Sequence, residues 1–269
     1  MPLYETLADA YDWLVPDALL DPAGSASALA PALAEVPAGG RVLDCAAGTG
    51  QLAVGLALRG FAVTATDAGP AMVERTRALA REHGAALEAE VCAWEALGGR
   101  PWAGTFDAVL CVGNSLTHAP GRAGRRAALR NMAGVLRPGG LLLVTSRNWE
   151  PLLAARPGLE VDEALVERPG GVGLVVRAWT WADDREAPHT LEVAVAVLEP
   201  GGRVSSVSER LPFWPFTSGE LDADLRSSGL VPAASTYTAE AERYLVSARR
   251  PERDAPEAAA GRVAGGGAG

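Results

Sequence analysis

The sequence predicts an α/β chain: a doubly wound, mostly parallel sheet of seven strands, with a small antiparallel β insertion roofing its ligand-facing edge. Three observations predict it. Short apolar runs near 42–46, 61–67, 87–92, 106–112 and 141–146 alternate with helical segments. After about residue 150 the pattern changes to strand-length runs at 172–181, 191–198 and 203–211, joined by short turns such as Glu199 to Gly202. Two last runs, 231–238 and 243–249, close as a hairpin and complete the seven.

Composition bounds the chemistry. At 269 residues the chain can bury a large core in one or two domains. Lys and Ile are absent and all 24 basic residues are Arg, which excludes a Schiff-base lysine and a phosphate-loop lysine. A net charge of −9 argues against a nucleic-acid partner. Cys45, Cys92 and Cys111 are odd in number, widely spaced and placed in apolar runs. That fits reduced core thiols in a cytoplasmic protein, not a disulfide frame or a zinc site. No signal peptide and no membrane-length apolar run is read, so no membrane partner is expected.

In chain order, Tyr4, Leu7, Ala8, Tyr11, Leu14 and Val15 recur at helical spacing, with Tyr4 and Tyr11 on one face. Two roles stay open for this helix: packing on the sheet, or a lid that brings its tyrosines to a reacting centre. Asp21 to Gly24 reads as a turn and 25–36 as a second helix. The run 42–46 suits a buried parallel strand. Gly48 and Gly50 then let the backbone turn sharply and approach a ligand. A small apolar helix over 52–58 follows, stopped by Gly60. Asp67 closes the second strand, 23 residues after Asp44, where a carboxylate can accept hydrogen bonds from a ribose diol. Gly48-Thr-Gly50-Gln-Leu-Ala53 fits G-x-G-x-x-[GA], so this unit by itself also admits a nicotinamide cofactor.

The next helix runs from Gly69-Pro70 to about His83, with Met72 near an adenine or in the core. Ala93 and Trp94 lie at the carboxyl end of the third strand, the ligand edge of an open α/β sheet. The fourth strand ends in Gly113-Asn-Ser-Leu-Thr-His118, and His118 alone of the three histidines sits on that edge. A helix over 122–136 ends in Arg137-Pro-Gly-Gly140, and the fifth strand leads to Arg147-Asn-Trp-Glu150 on the same edge as Asn114. A helix at 217–228, capped by Thr217 or Ser218, precedes the final hairpin. Residues 251–269, rich in Ala, Gly, Pro and charge, read as a disordered tail.

Asp44 lies four residues before Gly48, where a dinucleotide site needs no carboxylate. The pattern D-x-A-x-G-T-G resembles motif I of the class I S-adenosylmethionine-dependent methyltransferases, whose sheet is Rossmann-like and ends in an antiparallel hairpin. Ala93-Trp94, residues 106–118 and residues 136–149 together resemble the glycine N-methyltransferase family and its sarcosine and dimethylglycine relatives, over about 41–150. The resemblance implies S-adenosyl-L-methionine as cofactor, lined by Asp44, Ala46, Gly48, Asp67, Ala93, Trp94 and Val112. His118 would lie beside its methionine end. Gly50 and Met72 join the cofactor set by position. The resemblance implies that Asn114 and Arg147 hold the acceptor, Arg147 by pairing a carboxylate. The chain also departs from that family. No arginine near 21–27 matches the one that grips the methionine carboxylate, Trp149 replaces a tyrosine, and the insertion lacks the family's tyrosines.

The sequence therefore divides into an N-terminal helical lid (1–40), a cofactor-binding core (41–150), an antiparallel insertion on the acceptor side (151–212), a closing helix and hairpin (213–250) and the tail. The expected function is methyl transfer to a small-molecule amine: an amino acid such as glycine or sarcosine, or an amine of a secondary metabolite, as in antibiotic biosynthesis. Asn114, His118, Arg147, Tyr4 and Tyr11 are the candidate catalytic residues. The alternative is O-methylation with His118 as general base. A nicotinamide oxidoreductase and a non-catalytic S-adenosylmethionine sensor are the remaining readings. No metal is expected, and an exposed edge or an exchanged N-terminal arm would make a homo-oligomer.

Overall fold

The computed structural model describes residues 3–162 and 164–252. Its centre is a seven-stranded sheet in which β1 (Arg41–Asp44), β2 (Ala62–Asp67), β3 (Glu88–Val91), β4 (Phe106–Cys111) and β5 (Leu136–Arg147) run parallel. The hairpin of β11 (Val231–Ser235) and β12 (Arg243–Arg249) adds two antiparallel strands, and the order is β11-β12-β5-β4-β1-β2-β3. Strand order reverses beside β1, and that switch point is where an open α/β sheet leaves a crevice for ligands. β1 and β4 are almost wholly buried, as apolar runs covered on both faces must be.

Two apolar layers flank the sheet. One joins Leu43, Phe106, Val109 and Leu129 to the closing helix α7 (Ser218–Ser227); the other joins Val42, Leu56, Val63 and Leu110 to Ala26. Around them lie α3 (Gln51–Leu58), α4 (Pro70–Glu82) and α5 (Gly121–Val135). Thr217 caps α7 in a reciprocal capping box with Glu220, as its sequence signature anticipates.

The roof is a second, antiparallel sheet. β8 (Gly171–Thr180), β9 (His189–Leu198) and β10 (Val204–Phe213) form its body, with β6 (Leu159–Val161) and β7 (Val166–Arg168) both on β8. The sequence pattern anticipates the three long strands. It misses β6, β7 and the one-turn helix α6 (Glu150–Ala155), which are too short to show a period.

The N-terminal segment departs from its periodicity. An amphipathic helix is expected there, yet residues 3–7 are irregular, Tyr4 has φ of +63°, and only Ala8–Leu14 forms a 3₁₀ helix. Glu209 on β10 explains the difference. Its carboxylate accepts the main-chain N–H groups of Tyr4, Thr6 and Leu7 at 2.6, 3.0 and 3.1 Å. The roof thus satisfies donors that a first helical turn leaves open. Leu7 is fully buried in the roof's own core with Trp149, Val175, Trp179, Leu191 and Phe213. Burying such a side chain is worth about 2 kcal/mol.

Asp21 to Gly24, expected as a turn, begins a helix instead. Asp21 caps α2 (Pro22–Leu29) by accepting from Gly24 N–H at 2.8 Å, and Pro22 takes the first helical position. That helix ends just before Pro31 and packs on α3, against the sheet core and away from the roof. Arg137 to Gly140, expected to precede the fifth strand, lies inside β5 as an irregularity opposite Phe106 and Ala108. The expected tail falls, from residue 253 on, outside the described residues. No described helix is long and apolar enough to cross a membrane.

Candidate active site

Two cavities meet at the carboxyl ends of β1, β2, β4 and β5. The first encloses about 700 Å³ of open space and is bordered by Ala46, Asp67, Ala93, Trp94 and His118, all anticipated, together with Tyr4. Leu3, Cys45, Ala68, Glu95 and Ser115 also line it and were missed. The second, about 670 Å³, lies under the roof, with Tyr11, Asn114, Arg147 and Trp149 in its wall beside Arg177 and Arg243. Tyr4 borders both cavities and forms the partition between them.

Asp67 organises the floor of the first cavity. Its Oδ2 accepts Gly48 N–H and its Oδ1 accepts Gly69 N–H, both at 2.9 Å, so one carboxylate braces two turns. Burial raises its pKa, opposed by those two N–H groups. Each oxygen keeps lone-pair capacity for a diol at the cavity face. Gly50 is required by the fold. Its φ is +93°, and a Cβ there would lie 2.8 Å from Cα of Thr76 on α4. Thr76 in turn donates its hydroxyl to the Gly48 carbonyl at 2.9 Å.

Asp44 is the unusual group. It is 1% exposed, and neither carboxylate oxygen has a hydrogen-bond partner among the described residues. Burial lifts its pKa to about 7; the Ala46 N–H, close by but outside hydrogen-bond geometry, opposes this and the Asp67 charge adds to it. A buried carboxylate without a donor is costly, so this position fits a ligand that brings a cationic amine. Met72 and Val112 differ from expectation: Met72 is 2% exposed in the core, and Val112 packs against the second apolar layer. Neither borders the first cavity, nor do Gly48 and Asp44, the latter lying next to its wall residues Cys45 and Ala46.

At the junction of the cavities His118 has a fixed tautomer. Its Nδ1 lies 2.9 Å from the Pro212 carbonyl, which can only accept, so Nδ1 carries the proton. Nε2 is then an acceptor, and the Tyr4 hydroxyl, 3.1 Å away, donates to it. Burial lowers the His118 pKa to about 4, against a smaller upward pull from Pro212. Tyr4 and Tyr11 meet edge to face at 5.5 Å. Burial pushes the Tyr11 phenol up to about 12 and the Tyr4 phenol well above its ordinary value. Around neutrality the junction is uncharged.

Asn114 sits at φ of +70° and links strands more than it faces a ligand. Its Oδ1 accepts from Arg147 N–H at 2.9 Å and from Trp149 Nε1 at 3.2 Å. Only its amide nitrogen is left to offer. Arg147 is engaged as well, with Nη2 3.4 Å from Glu160. Arg177 and Arg243 had a legible signal in one case. Gly173, Val175, Arg177 and Trp179 alternate along β8, so Arg177 takes a place on the strand's otherwise buried face.

Solved structures share this architecture. The CcbJ methyltransferase of Streptomyces caelestis superposes with a TM-score of 0.70 at 22% identity, covering 92% of this chain and 97% of that one. CalS10, an amino pentose methyltransferase of Micromonospora echinaspora solved with S-adenosylmethionine, gives 0.68 at 24%, covering 90% and 95%. These likenesses show the fold of the class I methyltransferases.

Within that class, residues 42–140 match the methyltransferase domain family. Glycine N-methyltransferase of Oryctolagus cuniculus is 38% identical over 136 residues, 45% of this chain and 46% of that protein. The chain thus spans less than half the length of the curated relatives it matches. S-adenosyl-L-methionine is the cofactor of the class. The unpartnered Asp44 and the diol-ready Asp67 fit its ammonium and ribose.

Proposed function

We propose that the protein is a methyltransferase that uses S-adenosyl-L-methionine to methylate a small-molecule amine. One observation carries the choice of nitrogen: among the described residues no side chain at the junction is free to take a proton. His118 is neutral, its Nε2 accepts from Tyr4, and burial holds it far below the basicity a hydroxyl acceptor requires. A neutral amine has its lone pair available and needs alignment in a dry site. When bound, the cofactor supplies an electrophilic sulfonium methyl. Asp44 and Asp67 would hold its amino and ribose groups, and Ala93 and Trp94 would border its adenine. Tyr4 and Tyr11, both neutral, would orient the amine and exclude water.

Two acceptors fit this reading: an amino acid, like that of the glycine N-methyltransferases, and a metabolite amine, like that named for CalS10. Oxygen methylation keeps less support, because His118 would have to give up Tyr4 and bind a proton that its burial disfavours. Calorimetry with S-adenosylhomocysteine, run beside NADH, tests the cofactor. Micromolar affinity for the first alone is expected, and the reverse would return the protein to the dehydrogenases. Paired screens of amines and matching alcohols, read by mass gain, test the acceptor atom.

A further inference from the structure

The roofed cavity contains three guanidinium groups: Arg147 on β5, Arg177 on β8 and Arg243 on β12. Two have a carboxylate of their own. Arg147 lies 3.4 Å from Glu160, which also accepts from Trp179 Nε1 at 2.8 Å, and Arg177 is bonded to Asp162. Arg243 is different. In the antiparallel pairing of β12 with β5 it stands directly opposite Arg147, a like charge. Among the described residues no carboxylate comes within ion-pair distance of it. Arg243 is open to solvent, so water serves its charge in the free protein; with two carboxylates already taken by Arg147 and Arg177, it is the guanidinium of this cavity left to receive an entering anion. The other walls are Trp149, Trp179, Phe213, Leu191 and Val193, which suit an apolar or ring-shaped body.

We propose that Arg243 selects the acceptor's charge, and that the acceptor is an amine bearing one carboxylate on a body larger than that of glycine. The inference rests on the methyltransferase reading for the amine and deepens it. A guanidinium presents a planar fork that matches a carboxylate with two parallel hydrogen bonds. Arg147, expected from sequence to make that contact, acts one step removed: it neutralises Glu160 and keeps a competing negative charge out of the cavity.

The test is a calorimetric titration of protein saturated with S-adenosylhomocysteine, using benzoate and its uncharged analogue benzamide as probes. Benzoate should bind at least about tenfold more tightly than benzamide, and Arg243→Gln should erase that preference while Arg243→Lys keeps part of it. Arg147→Gln should also weaken benzoate, and adding Glu160→Gln should restore it. Equal affinity for the two probes would overturn the proposal, as would benzoate binding that survives Arg243→Gln. A loss of S-adenosylhomocysteine affinity in Arg243→Gln, equal to the loss of benzoate, would make Arg243 a cofactor clamp and overturn it too. S-adenosylhomocysteine affinity is measured first on every variant. Its absence in the wild type strikes the methyltransferase reading, whereas its presence without a carboxylate preference strikes this inference alone.

Discussion

The floor and the roof of the site are assembled in different ways. The floor uses the ends of consecutive strands, so Asp44, Gly48, Asp67, Ala93 and His118 follow one another within 75 residues of chain. The cavity under the roof gathers Tyr4, Trp149, Arg177, Phe213 and Arg243 from both ends and the middle of the chain. The matched family domain, 42–140, contains the floor and none of those roof residues. A generic cofactor is read by local turn chemistry, and a particular acceptor by side chains that only tertiary contact brings together.

Asp67→Ala should break the floor alone. It removes the brace on two turns and the acceptor for a diol, so S-adenosylhomocysteine affinity should fall about a hundredfold. Benzoate should still be preferred over benzamide at saturating S-adenosylhomocysteine. Parallel loss of that preference in the same titrations would mean that the two regions are one coupled unit.

Asp44 sharpens the comparison through pH. Its folded pKa, raised to about 7, means that the native state holds a proton through the weakly acidic range. Pairing with an ammonium requires the ionised form. S-adenosylhomocysteine affinity should therefore drop about tenfold per unit as pH falls below 7, and become flat in Asp44→Asn. Calorimetry in buffers of different ionisation enthalpy measures the proton released. For the free protein the sign is opposite: a raised pKa makes Asp44 cost stability as pH rises through 7. The depressed His118 pKa works the other way, with stability lost as pH falls from the ordinary histidine range toward 4.

Glu209 tests whether the strap belongs to the roof. Glu209→Gln exchanges a carboxylate for a weaker acceptor of three main-chain N–H groups. Hydrogen exchange at Tyr4, Thr6 and Leu7 should accelerate by about tenfold, with little change in global unfolding. Unaltered protection at those amides would mean that Leu7 burial alone holds the strap. The smallest effect is expected at His118. His118→Gln should lower the rate on an amine by less than about tenfold, and the wild-type rate should show no histidine titration between pH 6 and 9. A rate that collapses in this variant would favour a hydroxyl acceptor.

The sequence by itself determined the sheet, its seven strands and the cofactor edge. Apolar runs of strand length, the Gly48 turn and carboxylates at fixed offsets act within one βαβ unit, where backbone geometry leaves few alternatives. Thr217 was legible for the same reason, since a cap and its reciprocal partner lie three residues apart. Tertiary structure alone decided the rest. The 3–7 strap abandons its helical period because Glu209, about two hundred residues away, supplies better acceptors. His118 becomes a neutral acceptor because Pro212 and Tyr4 approach it from the roof and the strap. Arg243 gains meaning only opposite Arg147, where two carboxylates already serve the other arginines. Local propensity reports on neighbours in sequence, and charge balance in a cavity is a property of neighbours in space.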